Sequence, residues 1–129
     1  MKKNPQSCRV RYNKYKYIRE YPAMNRTVLE VIQTVCSRES LSYKEIKEKF
    51  PDSIAKHGTK FQKEMYVLER ESDISPDLKT PRARFFLDSP IFLKKDKETI
   101  LVSNQWNSDN FEAFCQRAKE VFDIDIQKI

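Results

Sequence analysis

The chain has 129 residues, 39% of them hydrophobic and 34% charged, which suits one soluble domain with a single core. No apolar run approaches the roughly 18–20 residues that cross a membrane, and no apolar segment follows Lys2 and Lys3, so neither a membrane span nor a secretory signal is expected. The net charge is +6, and one end supplies it: residues 1–19 hold seven of the 25 bases and no acid, leaving 18 bases against all 19 acids in the other 110 residues.

That asymmetry points to a basic arm that meets nucleic acid or another acidic surface. The arm contains "RVRYNKYKYIREY", Arg9 to Tyr21, in which Tyr and Arg or Lys interleave. Val10 and Tyr12 share one face of an extended chain, Tyr15 and Tyr17 the other, and the phase slips at Asn13, so a single half-buried strand would need a bulge. Residues 1–20 are therefore expected to be extended or mobile. Pro22 then opens the folded body, which divides the chain into an arm over 1–21 and one domain over 22–129.

In "RTVLEVIQTVCSRES", Val28, Val31, Ile32 and Val35 recur at helical spacing, with Leu29 and Cys36 widening the stripe. Asn25 or Thr27 is expected to cap this helix. Its β-branched residues are poor helix formers, so packing must hold it. In "LSYKEIKEKFPD", Ser42 and Glu45 form a capping box that opens a short helix, Ile46 and Phe50 face inward, and Pro51 ends it. Gly58 is the only glycine. It splits the next stretch into a loop or single turn and a third helix that starts after Thr59, with Thr59 and Gln62 as its capping box and Phe61, Met65 and Leu68 along one face.

Beyond Pro76 and Pro81 the period becomes two. "ARFFLD", "PIFLKK" and "ETILVS" read as short strands, with "KKDK" as the tip of a hairpin. The segment "SDNFEAFCQRAKEVFD" carries an apolar stripe of Phe111, Phe114, Cys115, Ala118, Val121 and Phe122 behind a capping box of Asp109 and Glu112. "IDIQKI" is expected as a terminal strand on a sheet edge. The fold class is thus α+β: three N-terminal helices, a small antiparallel hairpin or sheet, and a C-terminal amphipathic helix.

Nothing in the residues argues for an enzyme. His57 is the only histidine, and Cys8, Cys36 and Cys115 are scattered, so no metal or cofactor site is expected and no disulfide framework either. Reduced thiols fit a cytoplasmic protein. One glycine excludes a Gly-rich phosphate loop. The Glu-Ile-Lys triplet at 45–47 precedes both Pro-Asp pairs, which is the wrong order for a metal-dependent nuclease.

In element order, residues 27–103 resemble a winged helix-turn-helix domain, in which the third helix enters a groove and the hairpin flanks it. Residues 42–126 also resemble a little-characterised module of bacterial and phage proteins. Phe50, Pro51, Phe85, Phe86, Ser103, Asn104, Gln105, Trp106, Asn110 and Phe114 carry that resemblance. The chain departs from the module where "KKDK" replaces a hairpin Asp-Gly and where Asn107 replaces a Gly after Trp106. The module implies a mobile-element or host-defence setting and no particular activity.

The expected partner is DNA or RNA. Arg9, Arg11, Lys14, Lys16 and Arg19 would hold phosphates, with Tyr12, Tyr15 and Tyr17 stacking on bases. Lys56, Thr59 and Lys60 flank Gly58 at a helix start that could receive a phosphate. Lys60 and Lys63 lie on the groove-facing side of the third helix, beside Glu64 and Glu69. Lys94 and Lys95 belong to the hairpin tip. Against this stands the near-neutral body. It favours the alternative of a protein-interaction module, such as a phage-encoded inhibitor whose basic arm occupies a host nuclease or another nucleic-acid-handling complex.

Overall fold

The alternation of Cys8, Val10 and Tyr12 with Arg9 and Arg11 is the period-two signature of a half-buried strand. The computed structural model, which describes residues 7–56, 66–74, 76 and 84–129, places this stretch in β1 (Cys8–Tyr12). The chain turns back through residues 13–16 into β2 (Tyr17–Tyr21), pairing Tyr12 with Tyr17 and Cys8 with Tyr21. The other edge of β1 pairs with the last strand, β6 (Ile124–Lys128), in a three-stranded antiparallel sheet of order β2-β1-β6.

Residues 8–12 and 17–21 are thus extended, as strands of a sheet built into the core rather than as an arm set apart from it, and Lys2 and Lys3 lie outside the described residues. Cys8, Val10 and Tyr12 are fully buried in the main core. The phase slip at Asn13 marks a reversal of the chain rather than a bulge. The turn is built without glycine: Lys16 takes the left-handed conformation at φ 58°, and its N–H donates to the Tyr12 carbonyl at 2.8 Å.

Helix α1 (Met24–Glu39) buries Val28, Leu29, Val31, Ile32, Val35 and Cys36, as its periodicity predicts. Its N-cap is Ala23, not Asn25 or Thr27, and no side chain caps it. Thr27 sits inside the first turn and donates its hydroxyl to the Ala23 carbonyl at 2.8 Å. Helix α2 (Tyr43–Lys49) has the expected capping box of Ser42 and Glu45, and Ile46 and Phe50 are fully buried. Pro51 is followed at once by a one-turn helix, α3 (Asp52–Lys56), the single turn of the two alternatives the sequence offers.

The expected third helix lies mostly outside the described residues, with Thr59, Lys60, Phe61, Gln62, Lys63, Glu64 and Met65. Leu68 is not helical. It begins β3 (Leu68–Arg70), which pairs with β5 (Glu98–Val102), and β4 (Ile91–Leu93) lies on the other side in a sheet of order β3-β5-β4. The strand expected in "ARFFLD" reduces to one bridge, Phe85 to Ser103.

Helix α4 (Ser108–Phe122) buries Phe111, Phe114 and Ala118, while Cys115, Val121 and Phe122 are half-buried at the margin of the core. Its capping box is Asn107 with Asn110, two residues earlier than Asp109 with Glu112. The Asn pair wins because Asn110 is fully buried and also donates to the Ala55 carbonyl at 3.0 Å, a bond that fixes α4 to α3. Phe50 stacks on Phe114 at 4.8 Å and meets Phe122 at 5.6 Å. One continuous core joins both sheets to the helices, and Ile74, Phe85 and Leu101 form a smaller second one.

The architecture is mixed α+β, with four α-helices and two three-stranded antiparallel sheets among the described residues.

Candidate nucleic-acid interface

Strand alternation sorts the basic residues of the first hairpin. Arg9 and Arg11 stand on the outer face of the sheet, opposite the side that buries Val10 and Tyr12. Arg9 is opposite Glu20 in β2, and its guanidinium donates to that carboxylate through Nε at 2.9 Å and Nη2 at 2.6 Å. Arg11 lies opposite Ile18 on one side and Asp125 on the other. Two of the expected phosphate ligands thus already face acidic residues.

The end of the hairpin is organised by tyrosines. Tyr12 stacks on Tyr17 with centroids 4.7 Å apart, and Tyr15 stacks on Tyr17 at 6.3 Å. From α1, the Arg38 guanidinium lies over the Tyr15 ring at 5.3 Å and the Tyr17 ring at 5.7 Å. Arg19 covers Tyr17 at 5.9 Å. The rings are packed on one another and under guanidinium groups, so they do not form the open stacking platform the sequence suggested.

Glu39, at the end of α1, receives Lys14 Nζ at 2.6 Å and the Tyr15 hydroxyl at 2.7 Å. The Lys14 bond, followed by the Tyr15 bond, holds the Glu39 carboxyl below its usual range. Burial first, and then the Glu39 bond, push the Tyr15 hydroxyl far up. Tyr12 is shifted up the same way, by burial first and then by its contact with Tyr21. Both phenols are neutral at physiological pH. Asn13 ties the turn to the far end of the chain, donating Nδ2 to the Asp123 carbonyl at 2.7 Å and to Asp125 Oδ2 at 2.9 Å. Beside the turn lies a cleft of about 310 Å³, lined by Tyr15, Glu39, Lys49 and Phe122 among others.

The basic groups that remain around the rings are Lys16, Arg19 and Arg38, none of which has a carboxylate salt-bridge partner among the described residues. Arg38 was not among the residues singled out from the sequence. Its only sequence signal is a basic residue in the last turn of a helix, which by itself answers to the helix dipole.

The other expected contacts do not converge here. Lys56 ends α3, and Thr59, Lys60 and Lys63 lie outside the described residues. Lys94 and Lys95 are in the β4–β5 turn, but this turn is docked rather than projecting. Lys95 pairs with Glu45 at 2.7 Å, and Asp96 accepts the Tyr43 backbone N–H at 2.8 Å, so the tip is held on the start of α2. Trp106 is core: its indole N–H donates to the Ser103 carbonyl at 2.9 Å and its ring meets Phe114 edge-on at 5.5 Å.

A second polar cluster joins α2 to β3. Lys47 Nζ donates to Asp52 at 2.6 Å and to the Leu68 carbonyl at 2.6 Å, with Glu69 at 3.6 Å, and Tyr43 donates to Glu69. These groups satisfy one another and brace β3 against the helices. Among the described residues no group of three or more His, Cys, Asp or Glu could hold a metal ion, and no helix is long and apolar enough to cross a membrane. Comparison of the chain with protein-family models, with curated proteins and with solved structures gives no match.

Proposed function

We propose that this protein binds nucleic acid through the surface where the β1–β2 turn meets the end of α1. The observation that carries this reading is the convergence of Arg19 and Arg38 on Tyr15 and Tyr17, with Lys16 in the adjoining turn. Guanidinium groups seated on rings keep their hydrogen-bond donors at the rim, where a phosphate can reach them. The tyrosines act here as supports for the cations. Binding is to the phosphate backbone, and base stacking is not part of it. In the winged-helix form of this reading, Lys56, Thr59, Lys60 and Lys63 supply a second set of contacts.

The test is a titration of duplex and single-stranded oligonucleotides at several salt concentrations. Each phosphate contact contributes about 0.9 to the log–log salt slope on duplex and about 0.7 on single strands. Joint replacement of Lys16, Arg19 and Arg38 by Ala is expected to flatten the duplex slope by about 2.7, three contacts at about 0.9 each. Absence of salt-dependent binding in the intact protein would remove the reading.

A second reading is a protein-interaction module, and one observation favours it. Phe92, in edge strand β4, is 59% exposed, beside a groove lined by Gln33, Cys36, Ser37 and Lys94. An apolar side chain on an open strand edge suits a partner that adds a strand. Pull-down by an acidic nuclease-type protein, lost in Phe92→Ser and kept in the triple basic variant, would favour this reading over the first.

A further inference from the structure

Among the described residues strand β2 is an edge of its sheet with no strand beyond it, and both of its faces are exposed at its centre. Ile18 there is 50% exposed, an apolar side chain on the outer face of a sheet whose other outer residues are Arg9, Arg11, Glu20, Asp125 and Gln127. Natural edges are usually blunted by charges, bulges or proline. In β2, Pro22 lies just beyond the last residue and the charges are one Arg and one Glu. An edge of this kind accepts another strand if the side chains opposite one another agree.

We propose that the occupant is a second copy of this chain, paired antiparallel through β2 about a two-fold axis at Ile18. The argument is the register. Side chains directly opposite in an antiparallel pair lie on the same face, so a two-fold axis perpendicular to the sheet pairs residues of the same parity. An axis at Arg19 sets Arg19 against Arg19, and an axis at Glu20 sets Glu20 against Glu20. Like charges directly opposite are destabilising. An axis at Tyr17 leaves Ile18 facing Lys16, which is in the turn with positive φ and cannot continue a ladder.

The axis at Ile18 pairs Tyr17, Ile18 and Arg19 of each chain and sets no like charges together. Ile18 meets Ile18 of the partner subunit, which covers the exposed apolar group. Tyr17 meets Arg19 of the partner subunit, repeating between chains the cation–ring contact that Arg19 already makes with Tyr17 within one chain at 5.9 Å. Glu20 falls beyond the paired residues, because its opposite number Lys16 is in the turn, and it keeps Arg9 as its neighbour. The product is one six-stranded sheet, and the two-fold axis closes it as a dimer. A five-residue edge is small beside the roughly 1,200 Å² of a stable interface, so the dimer is reversible and forms at high protein concentration. The inference does not depend on nucleic-acid binding.

Sedimentation velocity from low micromolar to near-millimolar concentration should show a monomer–dimer equilibrium in the wild type, and Ile18→Lys should remain monomeric. The register is read by cross-linking. In a Cys115→Ser background, where the remaining Cys8 and Cys36 are buried, Ile18→Cys, Arg19→Cys and Glu20→Cys are oxidised in parallel. Opposite Cβ atoms in an antiparallel pair lie about 4.5–5.5 Å apart, near disulfide reach, whereas diagonal neighbours are farther. Ile18→Cys should form covalent dimer at least an order of magnitude faster than the other two. Equal rates at the three positions, open-ended oligomers, or a wild type that stays monomeric throughout would overturn the proposal. All three positions are exposed, so folding of the variants is checked by their circular dichroism and does not confuse the result.

Discussion

The ring of Tyr12 lies stacked on that of Tyr17, centroids 4.7 Å apart, across the first β-hairpin. Tyr12 is fully buried, whereas Tyr17 keeps partial exposure. The stack therefore runs from core to surface and ends under Arg38. Loss of its inner member leaves a cavity, and loss of its outer cation does not. Tyr12→Ala is expected to cost about 3–5 kcal/mol, as for other large buried aromatics. Arg38→Ala should cost about 0.5–1 kcal/mol, the worth of an exposed cation–ring contact. Urea denaturation of the two variants against wild type measures both.

Strand β1 is the central strand of its sheet, with β2 and β6 on its two sides. Deleting residues 1–21 removes two of the three strands together with buried Cys8, Val10 and Tyr12. Such a truncation should abolish cooperative thermal unfolding and near-ultraviolet circular dichroism. A truncated chain that unfolds cooperatively near the wild-type midpoint would mean that β6 and the helices hold the core without the hairpin.

The parts of this fold that were legible in the sequence are those with a local cause. The stripes of α1 and α4, the Ser42–Glu45 box and the β4–β5 hairpin each follow from residues within one or two turns of each other. The pairing of β1 with β6 joins Cys8 to Lys128 and Tyr12 to Ile124, and no local pattern announces a contact between the two ends of a chain. The hairpin itself was masked because its turn has no glycine, so two strands of opposite direction read as one strand out of phase. The same long-range pairing explains why the basic residues were read as an arm: Arg9 and Lys14 find Glu20 and Glu39 only once the chain has folded. Arg38 joins the site only through the tertiary contact of α1 with the hairpin.

Phe114 touches Phe50 and Trp106 and is fully buried on α4. Phe114→Ala should lose about 3–5 kcal/mol by cavity formation. Gln116, exposed on the same helix, is the control, and Gln116→Ala should stay within about 0.5 kcal/mol of wild type. Equal losses in chemical denaturation would mean that α4 presents a different face to the core.

Glu45 connects pH to stability. Lys95 first, and then the Ser42 N–H and hydroxyl, hold its carboxyl down at about 2, from 4.5. The folded state thus binds this proton more weakly than the unfolded state does. The stabilisation is fully present above pH 4.5 and is lost as pH falls toward 2. Glu39, lowered by Lys14 and Tyr15, acts in the same direction. Melting temperatures measured from pH 7 to pH 3 should fall less steeply in Glu45→Gln than in wild type. The difference should narrow at high salt, because Glu45 and Lys95 are both well exposed. Parallel pH profiles for the two proteins would show that the capping box holds without the charge.

Ion pairing within the hairpin ranks its bases as ligands for phosphate. Arg9 must give up two hydrogen bonds to one Glu20 oxygen, and Lys14 must give up Glu39, before either neutralises a phosphate. Bringing a phosphate beside those carboxylates also sets like charges together. Arg19 and Lys16 have no such partner to surrender among the described residues, and Arg19 is already held over a ring. Single replacements should therefore separate into two classes in salt titrations on duplex. Lys16→Ala and Arg19→Ala should each flatten the slope by close to the full 0.9 or so of one phosphate contact. Arg9→Ala and Lys14→Ala should change it by clearly less. Tyr17→Phe, which keeps the ring and removes only the hydroxyl, should leave the slope unchanged on both duplex and single strands. If all four bases flatten the slope equally, the hairpin opens its ion pairs on binding, and the bound surface runs along the hairpin instead of being confined to its end.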